Sequence, residues 1–174
     1  YHRYLAYYYK MLISDIFISL DTVQYVPREW QNRQKFYNNG YYKWLTLPVN
    51  KGREPIINKV IVSPRILDDH WKFISYTYRN APYFKKYRDI FQSVYAGQWS
   101  NLSEFCAQLI FSSKEVLGIK SKFIKASDLD RTPSSSLKKA DLLIHYIDKV
   151  TSNKKYNIVY HPRNGPIPSD FYLN

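Results

Sequence analysis

The chain has 174 residues, a net charge of +12 and a pI near 9.6, a length suited to one domain with a sizeable core. A single cysteine, Cys106, excludes an internal disulfide and a thiolate metal cluster, which fits a reducing compartment. No segment approaches the roughly 20 apolar residues of a membrane span and no signal-peptide core precedes the first elements, so a cytoplasmic protein is expected.

In chain order, residues 3 to 14 place Leu5, Tyr8, Tyr9, Leu12 and Ile13 at helical spacing. Asp15 breaks that helix, and the run IFISL follows as a buried strand ending at Asp21. Behind the strand comes a loop rich in amides and cations: Gln24, Arg28, Gln31, Asn32 and Arg33. Ligand sites of α/β proteins lie past the carboxyl ends of sheet strands, and planar Gln, Asn and Arg side chains read carboxylates and phosphates through paired hydrogen bonds. The structural alternative is a solvated connection in which Arg28 and Arg33 pair with Glu29 or Asp21, and Asp21 caps the next segment. Next, Asn38, Asn39 and Gly40 predict a hairpin turn between KFY and YYKWLTLPV. INKVIVS reads as a short strand stopped by Pro64.

From Arg65 the period turns helical, with Leu67, His70, Trp71, Ile74 and Tyr78 on one face, as far as Pro82. A second helix carries Phe84, Tyr87, Ile90, Phe91 and Val94 and stops at Gly97. A third runs from Leu102 to Leu117, with Ser100 or Asn101 as its N-cap and Gly118 as its C-cap; Cys106 lies on its apolar face as a core residue. Residues 66 to 117 therefore form a helical insert. IKSKFIKAS is a further strand, with Ser127, Asp128, Asp130 and Arg131 in a loop behind it. A turn over Thr132 to Ser136, a helix over Lys138 to Val150 and a final strand YNIVYH opening into HPRNGPIPSD complete the pattern. Helices alternating with apolar strands predict an α/β class with a mostly parallel, Rossmann-like sheet whose leading strand would lie before Tyr1. No repeat or linker divides the chain, so residues 1 to 174 are expected to be one domain.

Arranged in this way, the residues resemble the WbqC-like protein family, found with genes for bacterial surface polysaccharides such as O-antigen. The early pattern is met by Tyr7, Tyr8, Lys10, Asp15, Asp21, Val23 and Gln24, then by Gln31, Asn32 and Arg33, and by Trp44, Leu45, Thr46 and Pro48. A second block is met by His70, Ile74, Tyr78, Ala81, Pro82, Tyr83 and Phe84. Ala6 stands for a usual glycine and Arg3 for a usual proline; the family's His-Gln-Pro strand would precede Tyr1, and its Gly-rich turn is divergent in IPSDFYLN. The resemblance implies a part in making or decorating cell-surface glycan by group transfer to an activated sugar.

The candidate site therefore has Asp21 and His70 as proton-handling residues and Gln24, Gln31, Asn32, Arg33, Tyr78 and Tyr83 as substrate contacts. For His70 the alternative is a buried, hydrogen-bonded core histidine. His161 follows the last strand, and its spacing to Asp128 and Asp130 matches no metal-ligand pattern. There is no Walker loop, GxGxxG, GxSxG or HExxH, so no cofactor is named. The expected partner is a small anionic substrate such as a nucleotide sugar. Two alternatives stay open: a nucleic-acid-binding or base-modifying protein, which the positive charge and 18 tyrosines favour, and a non-catalytic scaffold of a glycan biosynthesis cluster.

Overall fold

A computed structural model describes residues 4–38, 40–133, 137 and 139–151. The expected strand YNIVYH, the loop with His161 and the segment IPSDFYLN lie outside the described residues.

Helix α1 (Leu5–Leu12) leads into strand β1 (Ile16–Ser19), and a hairpin of β2 (Arg33–Asn38) and β3 (Tyr41–Thr46) follows. Gly40 sits at φ +91°, a left-handed conformation that glycine takes without strain, which is why the turn falls there. Three helices come next: α2 (Ile66–Tyr78), α3 (Phe84–Ala96) and α4 (Leu102–Val116). Strand β4 (Lys122–Lys125), a short helix α5 (Ala126–Leu129) and α6 (Lys139–Thr151) complete the described elements. β1 pairs with β4 in parallel, Ile16 opposite Lys122 and Ser19 opposite Lys125. The chain is thus mixed α/β with a small parallel sheet. Among the described residues the mostly parallel sheet of the expectation is this one pair, beside the antiparallel β2–β3 hairpin.

The helical block over residues 66 to 117 has the boundaries that spacing predicts. Pro82 cannot continue α2, and Gly97 closes α3. At the start of α4, Asn101 Oδ1 accepts hydrogen bonds from the Ser103 and Glu104 amides at 2.8 and 3.2 Å. At its end Gly118 takes φ +65°, the Ile119 amide donates to Lys114 O and the Gly118 amide to Glu115 O, the hydrogen-bond pattern of a Schellman cap. The apolar face of α4, with Leu102, Phe105, Cys106 and Leu109 buried, is the spine of the main core, against which Leu47, Ile61, Leu67, Ile74 and Tyr95 pack. A smaller core joins Tyr8 and Met11 of α1 to Ile110 of α4 and to Ile119, with Phe17 and Phe123 of the parallel strands against it.

Three local expectations are corrected. The buried face of α1 is Ala6, Tyr8 and Met11, whereas Leu5, Leu12 and Ile13 are exposed; both sides of this helix are apolar, so spacing alone did not choose between them. INKVIVS forms no ladder strand: it overlaps the end of a 3-10 turn at Ile56–Asn58, then makes single bridges from Ile61 to Val49 and from Val60 to Asn101. Ser127 and Asp128 lie in helix α5 rather than in a loop. Among the described residues no helix is long and apolar enough to cross a membrane.

Lys59, in the irregular segment, is fully buried. Its ammonium donates to Asn50 O at 3.2 Å, to Gly52 O at 2.9 Å and to the Glu54 carboxylate, so all three of its donors are satisfied. That hydrogen bond holds the Glu54 carboxyl below its ordinary value. Replacing Lys59 with Met strips two carbonyls of their partner, and unfolding free energy should fall by about 2–4 kcal/mol in a denaturant titration.

Candidate functional site at the carboxyl edge of the parallel strands

Because β1 and β4 run in parallel, the chain leaves both at the same edge, and the polar segments Asp21–Thr22 and Lys125–Asp130 meet there. Asp21 is buried and its carboxylate is fully engaged. Oδ1 accepts from the Ser127 amide at 2.9 Å, and Oδ2 accepts from Ser127 Oγ at 2.7 Å and Ser103 Oγ at 2.8 Å. One carboxylate thus ties the end of β1 to the first turns of α4 and α5.

Beside it, helix α6 brings in two residues that sequence reasoning missed. The fully buried Tyr146 hydroxyl lies 2.7 Å from Thr22 Oγ1 and donates to Asp130 O at 3.2 Å. His145 Nε2 lies 2.8 Å from Asp130 Oδ2, with about a quarter of each side chain exposed. The hydrogen bond to His145 draws the Asp130 carboxyl below its ordinary value, while burial pushes the Tyr146 phenol up and keeps it protonated. On the other flank Lys125 bridges Glu104 at 2.6 Å and Asp128 at 3.6 Å on the wall of a cleft of about 350 Å³ that includes Trp99, Phe111 and Phe123. Burial acts to lower the Lys125 ammonium, but the bond to Glu104 and the charges of Glu104, Asp128 and Asp21 raise it above its ordinary value. A histidine oriented by a carboxylate at the mouth of a strand edge can take or give a proton.

A second cleft of about 300 Å³ opens along β1, lined by Tyr7, Phe17, Ser19, Val23, Trp30 and Gln31 among others. Tyr7 and Ser19 hydroxyls lie 3.5 Å apart across it. Gln31 Oε1 accepts the Val26 amide at 2.8 Å, closing a loop in which Arg28 is held at φ 62°, a strained conformation for a residue other than glycine.

The structure does not bring the polar residues of this loop to one pocket. Gln24 is exposed, bridged to Pro55. Asn32 is buried, its amide donating to Leu47 O at 2.8 Å while its Oδ1 has no partner among the described residues. Arg33 lies on the outer face of the hairpin with its guanidinium over Trp44, donating to Arg28 O. Only Gln31 lines the β1 cleft. In the helical block, Tyr78 and Tyr83 do line one apolar cleft of about 290 Å³ with Phe36, Trp71, Phe84 and Arg88. His70 does not line it. It is 5% exposed, and burial, with Lys43 nearby and Asp69 opposing, lowers its pKa to about 4, so the imidazole is neutral at neutral pH. Among the described residues no group of three or more His, Cys, Asp or Glu is placed to hold a metal ion.

Comparison with known proteins agrees with the motifs. The chain is 27% identical over 141 residues, 79% of its length, to the uncharacterized protein Rv1507c of Mycobacterium tuberculosis, of which the match spans 61%. No solved structure matches. The model of the WbqC-like protein family matches residues 1–161, and the chain belongs to that family.

Proposed function

We propose that the chain is a group transferase that acts on a nucleotide-activated sugar, or a closely related small anionic substrate, in the biosynthesis of cell-surface polysaccharide of the O-antigen type. The observation that carries this reading is the His145–Asp130 pair at the carboxyl edge of the parallel strands, next to the Tyr146–Thr22 contact. Family membership supports the pathway, and the parallel pair supports a Rossmann-like placement of substrate past the strand ends. In this scheme Asp130 orients the His145 ring, and His145 accepts the proton of the attacking group. Asp21 holds the two strand ends together in place of handling protons, and His70 packs the core. The cleft of Tyr7, Ser19 and Gln31 receives the sugar hydroxyls.

The test is a panel of nucleotide-activated sugars, with release of nucleotide followed by chromatography. Turnover of one of them should fall on the order of 10²- to 10⁴-fold in His145→Asn, while the melting temperature stays close to the parent's. Full turnover by His145→Asn removes the assignment of the base. Absence of turnover across the panel, with no member shifting the melting temperature, favours the scaffold alternative.

A further inference from the structure

The β2–β3 register sorts the hairpin into two faces. Phe36 and Leu45 point inward to the core, while Arg33, Lys35 and Tyr37 share the outer face with their cross-strand partners Thr46, Trp44 and Tyr42. Tyr37, Tyr42 and Trp44 are 53%, 66% and 38% exposed, so large aromatic surface stands in water on this face. Above it lie two cations. The Arg33 guanidinium is 4.3 Å from the Trp44 ring centre, and Lys35 Nζ is 5.0 Å from Trp44 and 5.8 Å from Tyr42.

Two positive charges over one indole repel each other, and no acidic side chain of the hairpin neutralises them. Residues 33 to 46 contain no Asp or Glu, and among the described residues neither Arg33 nor Lys35 forms an ion pair. The Arg33 guanidinium donates to Arg28 O, and its Nε is buried with no hydrogen-bond partner among the described residues. Trp30 packs on Trp44 with ring centres 5.1 Å apart and also lines the β1 cleft, joining the charged face to that cleft.

We propose that the outer face of the β2–β3 hairpin is a nucleoside diphosphate site, in which Trp44 and Trp30 stack on the base and Arg33 and Lys35 hold the phosphates. The dianion answers two cations that have no acidic partner, and the aromatic rings answer a flat base. A group attached to the distal phosphate then extends past Trp30 into the β1 cleft. The outer face bears no Asn, Gln, Asp or Glu, so the base is held by stacking and its edge is not read. The identity of the base therefore matters little. This inference rests on the nucleotide-sugar reading only for the direction in which the ligand extends.

The experiment is titration of the whole chain with ADP, GDP and UDP, followed by tryptophan fluorescence and calorimetry. The expected results are affinities within about tenfold of one another, with the purines ahead, and much weaker binding of uridine. Trp44→Leu should weaken ADP binding by about 5- to 150-fold, the range that corresponds to loss of one stacked base. Arg33→Lys, which keeps the charge and loses the planar fork, should weaken it about 5- to 150-fold, and Lys35→Ala should weaken ADP more than adenosine. Melting of each variant checks the fold, and His145→Asn should bind ADP as the parent does, so a failure of catalysis and a failure of this site are told apart. Absence of nucleotide binding, or binding unaffected by Trp44→Leu and Lys35→Ala, overturns the proposal. So does oligothymidylate binding more than a hundredfold tighter than any diphosphate with a steep salt dependence, which marks the face as a polynucleotide platform.

Discussion

Asp21→Ala is expected to lower the unfolding free energy by about 3–5 kcal/mol, because it removes three hydrogen bonds to one buried carboxylate and leaves the Ser127 amide without its acceptor. For a chain of this length that is a fall of roughly 10 °C or more in melting temperature. Asp21→Asn is the sharper variant. Its carbonyl can still accept the Ser127 amide, and the two serine hydroxyls can turn to accept from its amide nitrogen, so the loss should be about 1–2 kcal/mol. A clamp therefore predicts that Asn rescues most of the stability and, at a temperature where the protein is folded, most of the turnover. If Asp21 acted as the base, Asn would abolish turnover while leaving the melt nearly intact, and that outcome would make Asp21 a catalytic residue.

The second large effect is on pH dependence and belongs to His70. Its folded pKa is about 4 against 6.5 in the unfolded chain, through burial first and Lys43 next, with Asp69 acting the other way. Between those two values the unfolded chain holds a proton that the folded chain does not. Stability is therefore complete above pH 6.5 and declines as pH falls toward 4, by up to about 3 kcal/mol in total. Glu54, whose folded carboxyl lies below its ordinary value, adds its own loss only in the more acidic range beneath about pH 4.5. Denaturant titrations at intervals from pH 7.5 to 4 should show the His70 slope in the parent and its absence in His70→Gln. An equal slope in both proteins would mean that another group carries the acid sensitivity.

Much of the fold could be read from local signals. The three helices of the insert follow from three- and four-residue apolar steps punctuated by Pro82, Gly97, Asn101 and Gly118, and the hairpin follows from a turn ending in Gly40. What failed was local pattern without a local cause. INKVIVS has a strand's composition, yet its backbone is shared between two neighbours: the Asn50 amide donates to Val60 O, whereas Ile61 donates to Ser100 O and Leu102 to Lys59 O. Neither neighbour lies alongside for long enough to make a ladder. Lys59 is buried in the same segment because the fold folds Asn50, Gly52 and Glu54 around it, which no hydrophobicity rule anticipates.

Of the residues now grouped at the carboxyl edge, the sequence singled out Asp21 as a candidate. The end of β1 pointed to Asp21, whereas Asp130 was legible only as a polar residue of the segment after β4, and its partner His145 sits in the next helix among apolar residues where its spacing carries no message. Tyr146 meets Thr22 across 124 residues of sequence, a contact that only tertiary structure supplies. In the loop after β1, the alternation of a strand sent Asn32 inward and Arg33 outward, so adjacent polar residues in sequence became unrelated in space.

The joint at the carboxyl edge also bears on how the molecule assembles. Asp21 and Ser127 lie 106 residues apart, and the parallel pairing of β1 with β4 closes a loop of similar length, so these contacts carry a large loop-closure entropy and form slowly compared with the helices between them. Helices α2, α3 and α4, whose contacts are local, can collapse first and present the face of α4 on which the two strands dock. His145 and Asp130 then come together only after α6 has settled on that joint. The pair proposed to handle protons is in this sense a late product of folding, and a chain stalled before strand docking has its helical core but not the His145–Asp130 contact.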